Sequence, residues 1–441
     1  MGDNILIHNA LLWASVDTPP IAGGSVLVTG DRIRRVGVFD CTADRRIDAG
    51  GCLLMPGLVQ GHVHLCQTIF RGIAEDLALL PWLRTYIWPM EAAHDEASIR
   101  ASALLTMAEM IRGGTTTFMS METVRHTGVA CDVVDETGMM GIVGHCLMDK
   151  SGGYDPLAVD IDDGLATCDR LLDRWRTHDR VRIAVAPRFA LSCTGENLKR
   201  AADFARANDL MLHTHSSEQE EEVKLVRERT GKDNIDYLAS VGLSGSDVGL
   251  AHCVHTKPHE RERLRNAGTR VLHCPSANLK LASGIAPIPE YLAAGILVAI
   301  GADGAPCNNR MDNFLEMREA ALIQKPRLGP DALSAKDVVR MATSMGAEVL
   351  NWESEIGTLE EGKRANLILV RQDTVHVEPS RDPATNLVYG NAAADVRLTM
   401  VNGKILYQDG KLLTIDEDEL IATVREERRK LEQRALGGSD R

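Results

Sequence analysis

The 441-residue sequence has no C-x-x-C pair among its ten cysteines, which lie scattered from Cys41 to Cys307. That spacing offers neither a disulfide framework nor a cysteine-rich zinc site, so most of these thiols are expected to be small buried hydrophobes in a reducing cytoplasm. Nowhere does an apolar stretch reach the roughly 18 residues a membrane helix needs. The start, MGDNILIHNALLWASVD, has Asp3 and no basic run ahead of an apolar core, so a secretory signal is not expected. Positive charge is also short. The 49 Lys and Arg against 62 Asp and Glu leave a net charge of −13, the wrong balance for a phosphate-binding surface, and no nucleic-acid partner is expected. What remains, 44% hydrophobic and 25% charged, is an ordinary globular composition at enzyme length.

Residues 4 to 55 alternate short apolar runs with turn signals, among them Gly30-Asp31. The same rhythm returns at 357 to 414, where Asn402-Gly403 and Asp409-Gly410 read as hairpin turns. Between them, eight candidate strands alternate with helix-like segments such as 93–112, 196–208 and 258–267. The strands are 59–65, 115–121, 141–149, 182–189, 210–215, 248–253, 269–275 and 296–303. The expected fold is α/β: a (β/α)8 TIM-type barrel over 58–354, with a small β-sandwich domain built from 1–57 and 355–441. The charged segment 416–435 predicts a surface helix lying on the β-domain or a neighbouring subunit.

Most of these strands end in histidine or aspartate, at the edge where barrel active sites are built. His62-Val63-His64 and His213-Thr214-His215 each put two imidazoles on one face of an extended chain, because residues i and i+2 point the same way. Only one of His213 and His215 is needed as a ligand, and a core histidine is the blander role for the other. Asp303 ends the apolar run ILVAIGAD. A carboxylate there needs a cation, a proton or a donor nearby; a helix N-cap is its ordinary alternative. Jointly His62, His64, His215 and Asp303 supply the nitrogen and oxygen ligands that zinc or ferrous iron accepts. Such an ion would lower the pKa of a bound water from about 15.7 to about 7. Asp303 could also take that water's proton, His252 could orient it, and Glu218 could shuttle a proton to a substrate ring nitrogen, although Glu218 also opens an acidic run reaching Glu222.

With these residues in place the sequence resembles the metal-dependent amidohydrolase superfamily, in its aminohydrolase branch. It is similar above all to the 5-methylthioadenosine/S-adenosylhomocysteine deaminases and 5′-deoxyadenosine deaminases. The matching segments are RGIAEDLALLPWL, IWPMEAAH, AEMIRGGTTTF, LAHCVH, PSANLKLASGIAPIPE and GADGAPCNN. The resemblance implies one divalent metal per subunit on His62, His64, His215 and Asp303, zinc before iron, because the lysine that bridges two metals is missing from strand four. It implies His252 as the water-orienting histidine, Glu218 as the proton shuttle, Glu91 as the carboxylate that holds ribose hydroxyls, and Gln67 and Trp88 as further wall residues. Arg188 stands where the similar deaminases usually have histidine, and His145 where they usually have arginine, so both are candidate substrate contacts and the 5′ group stays open. The expected assembly is a homo-oligomer.

The expected reaction is hydrolytic deamination of an adenosine-type nucleoside at C6, giving the inosine-type product and ammonia. The alternatives are another heteroaromatic ring (guanine, 8-oxoguanine, a pterin or an s-triazine) and a barrel that has lost catalysis. Zinc deaminases of nucleic acid need H-x-E followed by P-C-x-x-C. His376-Val377-Glu378 has no such partner.

Overall fold

The computed structural model describes residues 4–379 and 381–436. The first turn-punctuated runs form β1 (Asn4–Leu12), β2 (Ile21–Thr29), β3 (Arg32–Gly37), β4 (Arg45–Asp48) and β5 (Cys52–Pro56). The chain then enters a parallel barrel of eight strands. These are β6 (Leu58–Val63), β7 (Thr115–Met121), β8 (Met140–Leu147), β9 (Val181–Pro187), β10 (Met211–Ser216), β11 (Val248–His252), β12 (Arg270–His273) and β13 (Val298–Ile300), hydrogen-bonded in sequence order. With both faces covered, six of the eight are buried throughout; β9 exposes only Arg182, and β10 leaves only His215 half-buried. The chain leaves the barrel through β14 (Leu367–Arg371), β15 (Val396–Val401), β16 (Lys404–Gln408) and β17 (Lys411–Leu412). β14 pairs antiparallel with β5, and β5 parallel with β1, which joins both chain ends into one nine-stranded mixed sheet. Its hairpins turn where expected. Asn402-Gly403 (φ 51° and 76°) and Asp409-Gly410 (φ 48° and 90°) take the left-handed geometry that a tight two-residue turn requires.

The last barrel strands are shorter than their apolar runs. β13 stops at Ile300, and Asp303 lies beyond it, in a single parallel bridge to Val63 where its N–H donates to the His62 carbonyl at 3.0 Å. This bridge and hydrogen bond link the end of β13 back to β6, the first strand, and so bring the two edges of the sheet together. Glycine permits the approach: a Cβ on Gly301 would stand 2.6 Å from the His62 carbonyl oxygen, and one on Gly61 2.7 Å from the Ala299 side chain.

The C-terminal helix, Glu417–Leu436, does not lie on the β-sheet as expected. It packs on the helix Glu96–Arg112 outside the barrel, with Leu420 and Leu431 buried. Arg112 pairs with Glu417, Arg434 with Asp95 at 3.0 Å, and Arg428 Nη1 donates to the Arg71 carbonyl at 2.9 Å. Its apolar positions are few and make one narrow stripe, which suits a neighbouring helix better than a sheet face.

Gly301→Ala should force β6 and β13 apart at the rim. The expected result is a loss of about 1–3 kcal/mol in urea unfolding, with a matching fall in bound metal by elemental analysis.

Candidate metal centre and active site

Where β6, β10 and the β13 rim converge, four side chains bring ligand atoms within 4.8 Å of one another: His62, His64, His215 and Asp303. Asp303 Oδ1 stands 3.2 Å from both His62 Nε2 and His64 Nε2, and the Nε2 atoms of His64 and His215 are 3.2 Å apart. What aims them is the other ring nitrogen. His64 Nδ1 donates to the Met121 carbonyl at 2.7 Å and His215 Nδ1 to the Arg188 carbonyl at 2.6 Å. A carbonyl can only accept, so these Nδ1 atoms carry the proton and the Nε2 atoms present bare lone pairs. His62 Nδ1 meets His213 Nε2 at 2.7 Å, and His62 Nε2 is buried without a hydrogen-bond partner among the described residues.

Three lone pairs and a carboxylate oxygen directed at one point, on side chains that are buried apart from the half-buried His215, repel one another unless a cation lies between them. The donor set, three imidazoles and one carboxylate, therefore fits a divalent metal. The titration of these groups agrees. Burial lowers the His62 imidazole to about 4, and burial with the neighbouring histidines holds His215 well below its ordinary value, so both rings are neutral as ligands must be. Burial pushes the Asp303 carboxyl up, but the His62 and His64 rings 3.2 Å away, with His252, outweigh it and hold the group well below the usual range.

Beside this cluster lie His252 and Glu218. His252 Nδ1 donates to Asn278 Oδ1 at 2.9 Å, which turns Nε2 toward Glu218 Oε2 (3.5 Å) and Asp303 Oδ2 (3.8 Å). His252 (φ 71°) and Asp303 (φ 62°) are both left-handed, a strained conformation for residues with a side chain that clusters at functional sites. Burial pushes the Glu218 carboxyl up to about 7, with Asp303 adding to the rise against the pull of His252. A carboxyl so placed can both give and take a proton near neutrality. Burial lowers His252, but Glu218 and Asp303 more than offset it, and its imidazole is raised. Together these groups floor a pocket open to solvent whose walls include Gln67, Leu79, Trp82, Leu83, Arg188 and Phe189.

Comparison with known proteins decides the lineage: residues 53–406 match the model of the amidohydrolase family. The chain belongs to the amidohydrolase family. A 5-methylthioadenosine/S-adenosylhomocysteine deaminase of Syntrophobacter fumaroxidans is 37% identical over 96% of this chain and 97% of its own. A 5′-deoxyadenosine deaminase of Methanothermobacter thermautotrophicus is 39% identical over 91% of this chain and 93% of its own. The crystal structure of an adenosine deaminase from Xanthomonas campestris with bound zinc superposes with a TM-score of 0.92 at 29% identity, covering 98% of this chain and 99% of that one.

On this amidohydrolase barrel the other expected contact residues divide. Gln67 and Arg188 reach the cavity wall, and Glu91 stands behind them. Glu91 is fully tied: Arg188 donates to it through Nη1 at 2.5 Å and Nη2 at 3.1 Å, and Gln67 Nε2 donates at 2.7 Å. Burial raises the Glu91 carboxyl, and the Arg188 guanidinium reverses that to a net lowering. Glu91 is thus a counter-ion already engaged, not a carboxylate open to the cavity. His145 and Trp88 do not line the cavity. His145 is buried, its Nδ1 2.8 Å from Thr127 Oγ1, and burial lowers it to about 4. Trp88 is buried in the core beside Tyr154. Trp82, one helical turn and a half earlier, takes the wall position, with its Nε1 buried and without a hydrogen-bond partner among the described residues. An aromatic residue in a helical run gives no sequence sign of which turn faces inward. His213 and Asn278 were not assigned roles by pattern; the i, i+2 spacing to His215 is the one signal that pointed at His213.

Two outcomes follow from these contacts. His213→Ala removes the group that holds His62 Nδ1 and should weaken divalent-metal affinity about 10–100-fold, measured by competition with a chromophoric chelator. Arg188→Met leaves the Glu91 carboxylate buried and unpaired, an expected loss of about 3–5 kcal/mol in urea unfolding, while the double variant E91L/R188M should recover most of it.

Proposed function

We propose that this amidohydrolase is a zinc-dependent deaminase of adenosine-type nucleosides, hydrolysing the exocyclic C6–N bond to give the inosine-type product and ammonia. The observation that carries the reading is the Glu218 carboxyl, buried and raised to about 7, standing beside the convergent His62, His64, His215 and Asp303 set at the floor of the cavity. The names borne by its relatives supply the purine nucleoside as substrate class.

His62, His64, His215 and Asp303 would hold the divalent ion, which when bound would make a water acidic enough to act as nucleophile near neutral pH. Asp303 takes the first proton of that water, and His252 Nε2, fixed by Asn278, hydrogen-bonds the oxygen and orients it toward C6. Glu218 donates its proton to N1 as the C–O bond forms, which keeps the ring from building up charge. Asp303 then passes its proton to the amino group, the C–N bond breaks and ammonia leaves. The remaining hydroxyl proton returns to Glu218, and both carboxyls end as they began. The far wall is charge-neutral, because Arg188 and Glu91 cancel, and this suits a sugar with no charged group directed there.

The test is ultraviolet-monitored turnover of 5′-deoxyadenosine, 5′-methylthioadenosine, S-adenosylhomocysteine and adenosine by the zinc-loaded enzyme; no turnover of any of the four would sink the proposal. Glu218→Gln should lower kcat about 10²–10⁴-fold with KM nearly unchanged. The wild-type kcat should fall as pH rises past about 7, because the donor is the protonated carboxyl of Glu218. The amide variant should lose that alkaline limb.

A further inference from the structure

Glu222 has no part in the chemistry above, although it lines the same cavity and is fully buried. It sits in the first turn of the helix Glu220–Thr230, and its side chain reaches back toward the end of β10. Oε2 accepts the Glu218 N–H at 2.7 Å, and Oε1 accepts the Ser217 N–H at 3.3 Å and an Asn234 Nδ2 proton at 2.7 Å. Ser217 is in the left-handed region at φ 54°, which a residue with a side chain keeps only where its surroundings hold it. Its carbonyl accepts the N–H groups of Val254 at 3.0 Å and His255 at 2.9 Å, so the turn before Glu218 is stitched to the segment that follows His252.

The Glu218 carboxyl has no such anchors of its own. Among the described residues its side-chain contacts are long ones, Ser283 Oγ at 3.5 Å and His252 Nε2 at 3.5 Å. Its place is therefore set by its backbone, and the group that holds that backbone is Glu222.

We propose that Glu222 is a positioning residue for Glu218: its carboxylate clamps the two peptide N–H groups that aim the Glu218 side chain beside His252, and its charge sets when that side chain gives up its proton. The charged groups facing Glu218 are His252, Asp303 and Glu222, of which the two carboxylates favour the protonated form. Those facing Glu222 are Glu218 and His252. A glutamate in a helix's first turn that merely caps would satisfy backbone N–H groups without altering the titration of a neighbouring side chain.

The proposal rests on the reading of Glu218 as proton shuttle, and the experiment separates the two. Zinc-loaded E222Q, E222D and E218Q are compared with wild type for kcat and KM across the neutral pH range. E222Q removes an anion beside Glu218, which then loses its proton earlier, so the alkaline limb of kcat should move to lower pH and kcat should fall on the order of 10- to 100-fold with KM unchanged. E222D keeps the charge and shortens the reach, so kcat should fall with the limb in place. Wild-type kcat and limb in both variants, or a loss confined to KM or thermal stability, overturns the proposal. If neither variant folds, N234L removes the tether on Glu222 Oε1 instead, and wild-type kcat there overturns it. Full activity in E218Q overturns the shuttle reading and this proposal with it, whereas an inactive E218Q beside wild-type E222 variants overturns this proposal alone.

Discussion

Bare imidazole lone pairs gathered at one buried point are the constraint on which the rest of the structure depends. Such a group is unfavourable in the absence of a cation, and the chain keeps it by fixing each ring from behind: the Met121 carbonyl for His64, the Arg188 carbonyl for His215, His213 for His62. The acceptors come from three other places in the barrel, the ends of β7 and β9 and the middle of β10. The site is thus a property of the closed barrel and not of any one strand. A ring held only by its own strand could rotate and protonate; a ring whose Nδ1 proton is committed elsewhere has one remaining use for Nε2.

Closure of the barrel serves the same end. β6 carries His62 and leads into His64, while Asp303 follows β13, and these two strands are the first and last of the sheet. Their ligands meet because Gly61 and Gly301 let the backbones approach, because Asp303 N–H bonds the His62 carbonyl at 3.0 Å, and because Gln60 Oε1 accepts the Ala302 N–H at 2.9 Å. Asn308 then holds the Ala302 carbonyl at 2.7 Å and is itself held by the buried Glu316 at 2.7 Å. The one carboxylate ligand is therefore placed by backbone hydrogen bonds and a short polar chain, and a left-handed φ at Asp303 is tolerated because those bonds over-determine it.

Much of this was legible in the sequence because it is periodic or terminal. Alternating strands and helices gave the barrel, and i, i+2 histidines at strand ends gave the direction of the rings. The carboxylate closing ILVAIGAD marked the partner they need. The part that was not legible depends on distances the sequence does not encode. Nothing in HTH says which histidine faces the ligand point and which supports from behind. Glu91 reads as an available acid until Arg188, a residue 97 positions away, is seen to bind it with both nitrogens. Trp82 and Trp88 share one helical stretch, and the tertiary path of that stretch puts the first at the wall and the second in the core. His145 reads as a strand-end polar group like the others, yet Thr127 draws it away from the cavity.

Three of the buried carboxyls under this rim settle the same physical problem in three ways, and their roles follow from the difference. Removing an ionised carboxylate from water is unfavourable by several kcal/mol unless something compensates. Glu91 is compensated by a guanidinium that never leaves, so its charge is fixed and it can take no part in proton transfer. Asp303 is compensated by neighbouring imidazoles and, when loaded, by the metal, so it stays ionised and is free to accept a proton and release it again. Glu218 has no cation of its own beyond a half-shared histidine, and it answers burial by holding its proton to about 7. Acid and base assignments lie where neighbouring titratable groups are pushed apart, and here the separation is produced by partners, not by depth, since all three side chains are almost wholly buried. The net charge of −13 over the whole sequence has no part in this, because the groups that decide the chemistry are matched within the barrel rim.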